Sequence, residues 1–224
     1  MPARRATKPN SLKALFIGNS FTARNDLPGL IERLAAASGA RFVSQLISAG
    51  GASLNRHWNA GKAVQAIKSG EFDFIVLQEQ STRPIKNPRL MHESIRLYDP
   101  VIREAGSKMA LYLTWARKHA PAPKSQNAIN DAYTSIAREL GATVVPVGIA
   151  WQRYLAAHAG KPPIELHAPD GSHPSLAGSY LAACVFLETL FGQRPKGVDA
   201  ELAAKGLSAD DQVILQRAAT DAAG

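Results

Sequence analysis

The chain has 224 residues, 46% of them hydrophobic, enough for one substantial domain with a buried core. No apolar run approaches the ~18 residues that a membrane-spanning helix needs, and the single cysteine, Cys184, excludes an internal disulfide. The net charge of +8 is dispersed, with no dense basic run interleaved with aromatics, so neither a nucleic-acid nor a membrane partner is expected.

Residues 1–12 are basic and read as a flexible arm, leaving one domain over 13–224. No apolar leader core follows the arm, so the chain as given is expected in the cytoplasm, or secreted or periplasmic where a native leader was removed. The first strand is 13–17, KALFI, and it stops at Gly18-Asn19-Ser20. Helix 27–38, strand 42–47, helix 55–69, strand 73–77 and helix 90–105 follow. Strand 109–114, helix 125–140, strand 143–147 and helix 148–159 come next. Pro146 marks the last strand as an edge or as ending early. A large apolar helix covers 174–191, with Pro174 in its first turn, and shorter helical pieces fill 199–220. Cys184 falls in the apolar helix and is expected to be buried and unreactive. Two Pro-rich loops, 118–127 and 160–174, interrupt this order. Short apolar strands alternating with helices predict an α/β protein with a parallel sheet covered on both faces.

Ligands of such sheets bind beyond the carboxyl ends of the strands, where Ser20 falls. Gly18 allows a sharp turn there, and Asn19 tolerates unusual dihedrals. In isolation G-N-S is a common turn. A serine nucleophile needs a base within hydrogen-bond reach, and the base needs a group that orients it. The stretch DGSHP, 170–174, offers both, with Asp170 three residues before His173. A metal site on His167, Asp170 and His173 is the rival reading. Pro169, Gly171 and Pro174 make the helix that such spacing requires improbable. An oxyanion hole could draw on Gly50 and Gly51 after the second strand, and on Gln78 or Gln80 after the third. Glu79, between the glutamines, is expected to point the other way.

These stretches together resemble the SGNH (GDSL-type) hydrolases. GNSF, 18–21, is similar to the family's first block, SAGGAS, 48–53, to its second, and DGSHP to its last. The resemblance implies a flavodoxin-like three-layer α/β/α sandwich with about five parallel strands. It implies Ser20 as nucleophile, His173 as base and Asp170 as its orienting acid. It also implies the N–H groups of Ser20 and Gly51 as oxyanion donors. Two positions depart from the family pattern. Asn19 stands for the usual aspartate, and LQEQS, 77–81, stands where G-x-N-D is usual. Gln80 occupies the asparagine's aligned place, with Gln78 as the alternative donor, in what resembles a bacterial subgroup bearing a Q-E-Q-S block.

The implied activity is serine-type hydrolysis of short, acetyl-type esters on carbohydrates or small alcohols, with no cofactor and no metal. The alternative is a catalytically silent carbohydrate-binding or scaffold protein of the same fold. Asn19, His57, Trp58, Arg83, Trp115 and Arg117 fall after strand ends and are expected near the mouth of the site. Arg24 or Arg83 could meet an anionic substrate.

Overall fold

The computed structural model describes residues 10–120, 124–158 and 163–223. In chain order the elements are β1 (Ser11–Gly18), α1 (Ser20–Ala23), a 3₁₀ turn (Arg24–Asp26), α2 (Leu27–Ala37), β2 (Arg41–Ser48), α3 (Leu54–Asn59) and α4 (Lys62–Ser69). Then come β3 (Phe74–Leu77), α5 (Arg83–Lys86), α6 (Pro88–Glu104), β4 (Lys108–Tyr112), α7 (Lys124–Leu140), β5 (Thr143–Val145) and α8 (Val147–Ala157). The chain closes with α9 (Leu176–Phe191), α10 (Ala200–Ala204) and α11 (Ala209–Ala223).

The five strands form one sheet in the order β2-β1-β3-β4-β5, with every neighbouring pair parallel. Strand residues alternate between two buried faces. Ala14 and Phe16 of β1 join Phe74 and Val76 of β3 in a core covered by α2, α8, α9 and α11. Leu15 and Ile17 join Ile75 and Leu77 in a core covered by α3, α4, α6 and α7. Burial on both faces is why these strands read as continuous apolar runs. Thirteen of the sixteen residues of α9 are buried, which accounts for its lack of a polar face. Cys184 lies inside it, fully buried, with its thiol pKa pushed up by desolvation.

The helix after β1 and the helix after β3 lie on opposite faces, so a crevice opens between the carboxyl ends of those two strands. The Ser20 loop and the Gln78–Gln80 loop leave from its two sides.

Several boundaries differ from the sequence expectation. β1 begins at Ser11, two residues before the expected strand; most of the arm, residues 1–9, lies outside the described residues. The helix expected over 55–69 is two helices, because Gly61 adopts φ 74°, a left-handed conformation that breaks helical geometry. α6 starts at Pro88, where a missing N–H costs nothing, and Asn87 caps it by accepting from the Leu90 N–H at 3.0 Å. Strand β4 ends at Tyr112, two residues early. β5 ends at Val145, and Pro146 caps α8. Pro174 is not in the first turn of α9. Ser175 is the N-cap, accepting from the Gly178 N–H at 3.0 Å, while Pro174 bridges to His167. Residues 121–123 and 159–162, in the Pro-rich loops, lie outside the described residues.

Candidate active site

Ser20 opens α1 immediately beyond β1. Gly18 is required there by close approach: a Cβ would lie 2.6 Å from Gln78 Oε1 and 2.7 Å from Thr22 Oγ1. Asn19 caps α1, its Oδ1 accepting from the Phe21 N–H at 3.0 Å. Its own N–H donates to Gln78 Oε1 at 2.9 Å, and its Nδ2 donates to the Ala52 carbonyl at 2.9 Å. One asparagine thereby ties together the loops after β1, β2 and β3. The Ser20 N–H, at the start of a helix, donates to no other described residue.

His173 arrives from the other end of the chain on a pinned loop. His167 and Pro174 form an antiparallel bridge, the Ala168 N–H donates to the His173 carbonyl at 2.8 Å, and the Lys118 N–H donates to the Gly171 carbonyl at 2.8 Å. Within this bend Asp170 Oδ1 accepts the N–H groups of Ser172 and His173, each at 2.9 Å. Its Oδ2 lies 2.7 Å from His173 Nδ1, and His173 Nε2 lies 2.8 Å from Ser20 Oγ. The bonding assigns the proton to Nδ1, which donates to the carboxylate, and leaves Nε2 to accept from the hydroxyl. The Ser172 N–H, then the imidazole, then the His173 N–H hold the Asp170 carboxyl well below the usual range. Arg24 Nη1 stands 3.5 Å from Oδ2, but both side chains are nearly half exposed, so this pair contributes little.

The imidazole packs edge-on to Phe21 with centroids 5.5 Å apart. Phe21 stacks on Trp115 at 4.8 Å, and Trp115 stacks on Trp151 at 3.9 Å. This aromatic column underlies the serine and histidine.

A cleft of about 360 Å³ is lined by Ser20, His173, Gly51, Gln80 and Arg117, among others. The two glutamines differ in placement. Gln78 is 1% exposed, and its Oε1 accepts from the Asn19 N–H and the Thr22 hydroxyl, so it braces the serine loop from behind. Gln80 lines the cleft. Its Oε1 accepts from Thr82 and Arg83 N–H groups at 2.9 and 3.1 Å, while its Nε2 donates to no described residue. The Gly51 N–H is likewise without an acceptor among the described residues. Glu79 faces inward and is fully buried; its Oε1 accepts from the Leu54 N–H at 3.2 Å and the Gln80 N–H at 2.6 Å. Burial raises its carboxyl above the ordinary value, against the lowering effect of those two N–H groups.

Not every residue expected at the mouth reaches it. His57 is buried, its Nε2–H donating to the Gly18 carbonyl at 2.7 Å. Trp115 is 1% exposed, and its Nε1–H donates to the Ser172 carbonyl at 3.1 Å. Both support the site from beneath, each tied by a ring N–H to a backbone carbonyl of the segments that carry Ser20 and His173. Arg83 begins α5 and does not line the cleft. Trp58 packs edge-on to Tyr98 and lines a separate surface depression. Asn19 does border the cleft, with its amide engaged in the loop. His167, buried, directs Nε2 to the Ala116 carbonyl at 3.0 Å. Among the described residues no cluster of His, Cys, Asp or Glu is arranged to hold a metal ion.

Sequence reasoning missed Asn25. It takes φ 56°, and its Nδ2 donates to the Ser175 carbonyl and to Ser179 Oγ, both at 2.9 Å. The Asn-Asp pair following the GNSF block was the available signal, since these residues tolerate left-handed turns. Ser81 and Ser172 also line the cleft and carried no distinguishing pattern.

A 2-1-3-4-5 parallel sheet with a serine beyond β1 and an Asp-x-x-His loop before the last large helix has the fold of the SGNH (GDSL-type) hydrolases, and the chain resembles that group. A candidate SGNH hydrolase from Slackia heliotrinireducens matches at TM-score 0.67 and 29% identity, over 80% of this chain and 99% of its own. A DUF4886 family protein from Bacteroides uniformis ATCC 8492 matches at TM-score 0.74 and 22% identity, over 95% and 94% of the two chains. An acetyl xylan esterase, AlAXEase, matches at TM-score 0.64 and 12% identity, over 79% and 98%. These last two share the fold. No protein-family model matches the chain, and no curated protein does.

Proposed function

We propose that the protein is a serine hydrolase of short-chain esters, working through an acyl-enzyme. The observation that carries this reading is the unbroken hydrogen-bonded chain Ser20 Oγ–His173 Nε2, His173 Nδ1–Asp170 Oδ2, at 2.8 and 2.7 Å, opening into one cleft.

In this mechanism Ser20 Oγ attacks the ester carbonyl as its proton passes to His173 Nε2. Asp170 stabilises the imidazolium through Nδ1–H and remains ionised, as its lowered pKa favours. The Ser20 and Gly51 N–H groups and Gln80 Nε2–H, which have no acceptor among the described residues, receive the oxyanion. The tetrahedral adduct collapses, and the alcohol leaves with the proton from Nε2. Water then attacks the acyl-serine, its proton taken by Nε2; the acid leaves, and the proton returns to Ser20.

The small cleft favours a short acyl group such as acetyl, and the esterase among the fold neighbours makes acetylated carbohydrates a substrate class to test. Wild type should hydrolyse p-nitrophenyl acetate, and Ser20→Ala should lose that activity by roughly 10³-fold or more. Equal rates for the two proteins would refute the assignment. A folded wild type that binds acetylated sugars without cleaving them would favour a binding role.

A further inference from the structure

The cleft around Ser20 contains a cation with no counter-ion among the described residues. Arg117 reaches it from the loop after β4, and its Nη2–H donates to Ser81 Oγ at 3.0 Å. Ser81 is itself buried, so the hydroxyl fixes one arm of the guanidinium. The other N–H groups of that guanidinium have no acceptor among the described residues. All 18 Asp and Glu residues are described, and none lies within ion-pair distance of Arg117. Two cations of the adjacent loops differ in this respect: Arg24 pairs with Asp170 and Lys118 with Glu165. Glu79, on the loop after β3, is buried and turned to backbone N–H groups. Apart from His173, the cleft lining besides Arg117 is uncharged.

We propose that this cleft selects esters that carry a carboxylate, with Arg117 as the residue that binds it. The inference rests on the hydrolase reading above and names its substrate class. A guanidinium is a planar fork that matches a carboxylate through two parallel hydrogen bonds. Anchored by Ser81, Arg117 loses less side-chain freedom on binding than a free arginine would. Its place in the same 360 Å³ cleft as Ser20 requires the carboxylate to lie only a few bonds from the scissile ester. The chain's net charge of +8 adds long-range attraction for an anion.

Two matched pairs of esters test this. The first is 4-acetoxybenzoate and its methyl ester, with the charge on the leaving group. The second is mono-4-nitrophenyl succinate and its methyl ester, with the charge on the acyl group. In wild type, kcat/KM for the charged member of at least one pair should exceed that for its neutral partner by about tenfold or more. Arg117→Gln should bring that ratio close to one, and Arg117→Glu should invert it. Equal kcat/KM within both pairs, or a ratio untouched by Arg117→Gln, overturns the proposal while leaving the hydrolase reading intact, because the neutral esters are still cleaved. Should Ser20→Ala cleave every ester at the wild-type rate, the hydrolase reading fails instead. Titration of wild type and Arg117→Gln with 4-hydroxybenzoate and 4-hydroxybenzamide, neither of which holds the scissile ester, then decides carboxylate selection without turnover. Tighter binding of the acid that Arg117→Gln abolishes supports it, and equal binding refutes it.

Discussion

Asn25 Nδ2 donates to the Ser175 carbonyl at 2.9 Å, across 150 positions of sequence. It also reaches Ser179 Oγ at 2.9 Å and the Pro174 carbonyl at 3.3 Å. The segment behind Ser20 is thus stitched to the segment behind His173. The stitch holds a non-glycine residue at φ 56°, a conformation that asparagine bears better than most.

Replacing Asn25 separates the two contributions. Asn25→Gly keeps the left-handed turn and deletes the bonds, so kcat for p-nitrophenyl acetate should fall while the protein stays folded. Asn25→Ala adds about 1–2 kcal/mol of backbone strain, read as a lower denaturation midpoint than the glycine variant. Equal kcat in wild type and Asn25→Gly would show that the stitch does not position the histidine.

The two glutamines of the third loop should differ in their effect on kcat. Gln80→Ala removes a cleft donor and is expected to lower kcat by roughly 10²-fold, and by stranding the Thr82 and Arg83 N–H groups to cost about 1 kcal/mol of stability. Gln78→Ala strands the Asn19 N–H and the Thr22 hydroxyl and is expected to cost about 1–3 kcal/mol of stability. Steady-state kinetics and chemical denaturation on the same preparations distinguish them. A kinetic defect confined to Gln78→Ala would reverse the assignment.

Glu79 should leave a signature in stability against pH. Burial lifts its carboxyl above the ordinary value of 4.5, so the folded state holds its proton more tightly than the unfolded chain. Its contribution is therefore fully present below that ordinary value and is lost as pH rises through the folded pKa. The stability difference between wild type and Glu79→Gln should shrink as pH rises from 4.5. Denaturant titrations at several pH values measure it. A difference that grows with pH would contradict a carboxyl raised by burial.

Trp115 is expected to act on stability. Trp115→Ala empties the middle of the Phe21–Trp115–Trp151 column and should cost about 3–5 kcal/mol. Trp115→Phe should recover most of that and most of the activity. A Trp115→Ala protein with wild-type stability and weakened substrate binding would instead return the indole to the cleft.

The sequence made some of this legible and hid the rest for physical reasons. The strands were readable because residues 14–17 of β1 and Phe74–Leu77 of β3, buried on both faces, are unbroken apolar runs. Their order was not, since which strand pairs with which depends on long-range packing. The DGSHP bend was readable because a carboxylate, a flexible residue and an imidazole lie within four positions. The depth of His57 and Trp115 was not, because a residue after a strand end can face the cleft or the layer beneath it with equal local propensity. Gly61 breaks a helix that periodicity alone would continue, and Pro174 sits before a cap that only the Ser175–Gly178 bond reveals. Arg117 reads as one charge among many, because the lack of a counter-ion among the described residues is a property of the folded chain.

The central claim is that Ser20 is made nucleophilic by His173. Its most direct test is intact-mass and peptide mapping after exposure to a fluorophosphonate. Wild type should gain one adduct, mapped to Ser20, and His173→Ala should react at least about 10²-fold more slowly while keeping its fold. A wild type that stays unmodified, or a His173→Ala variant labelled at Ser20 at the same rate, would contradict the claim.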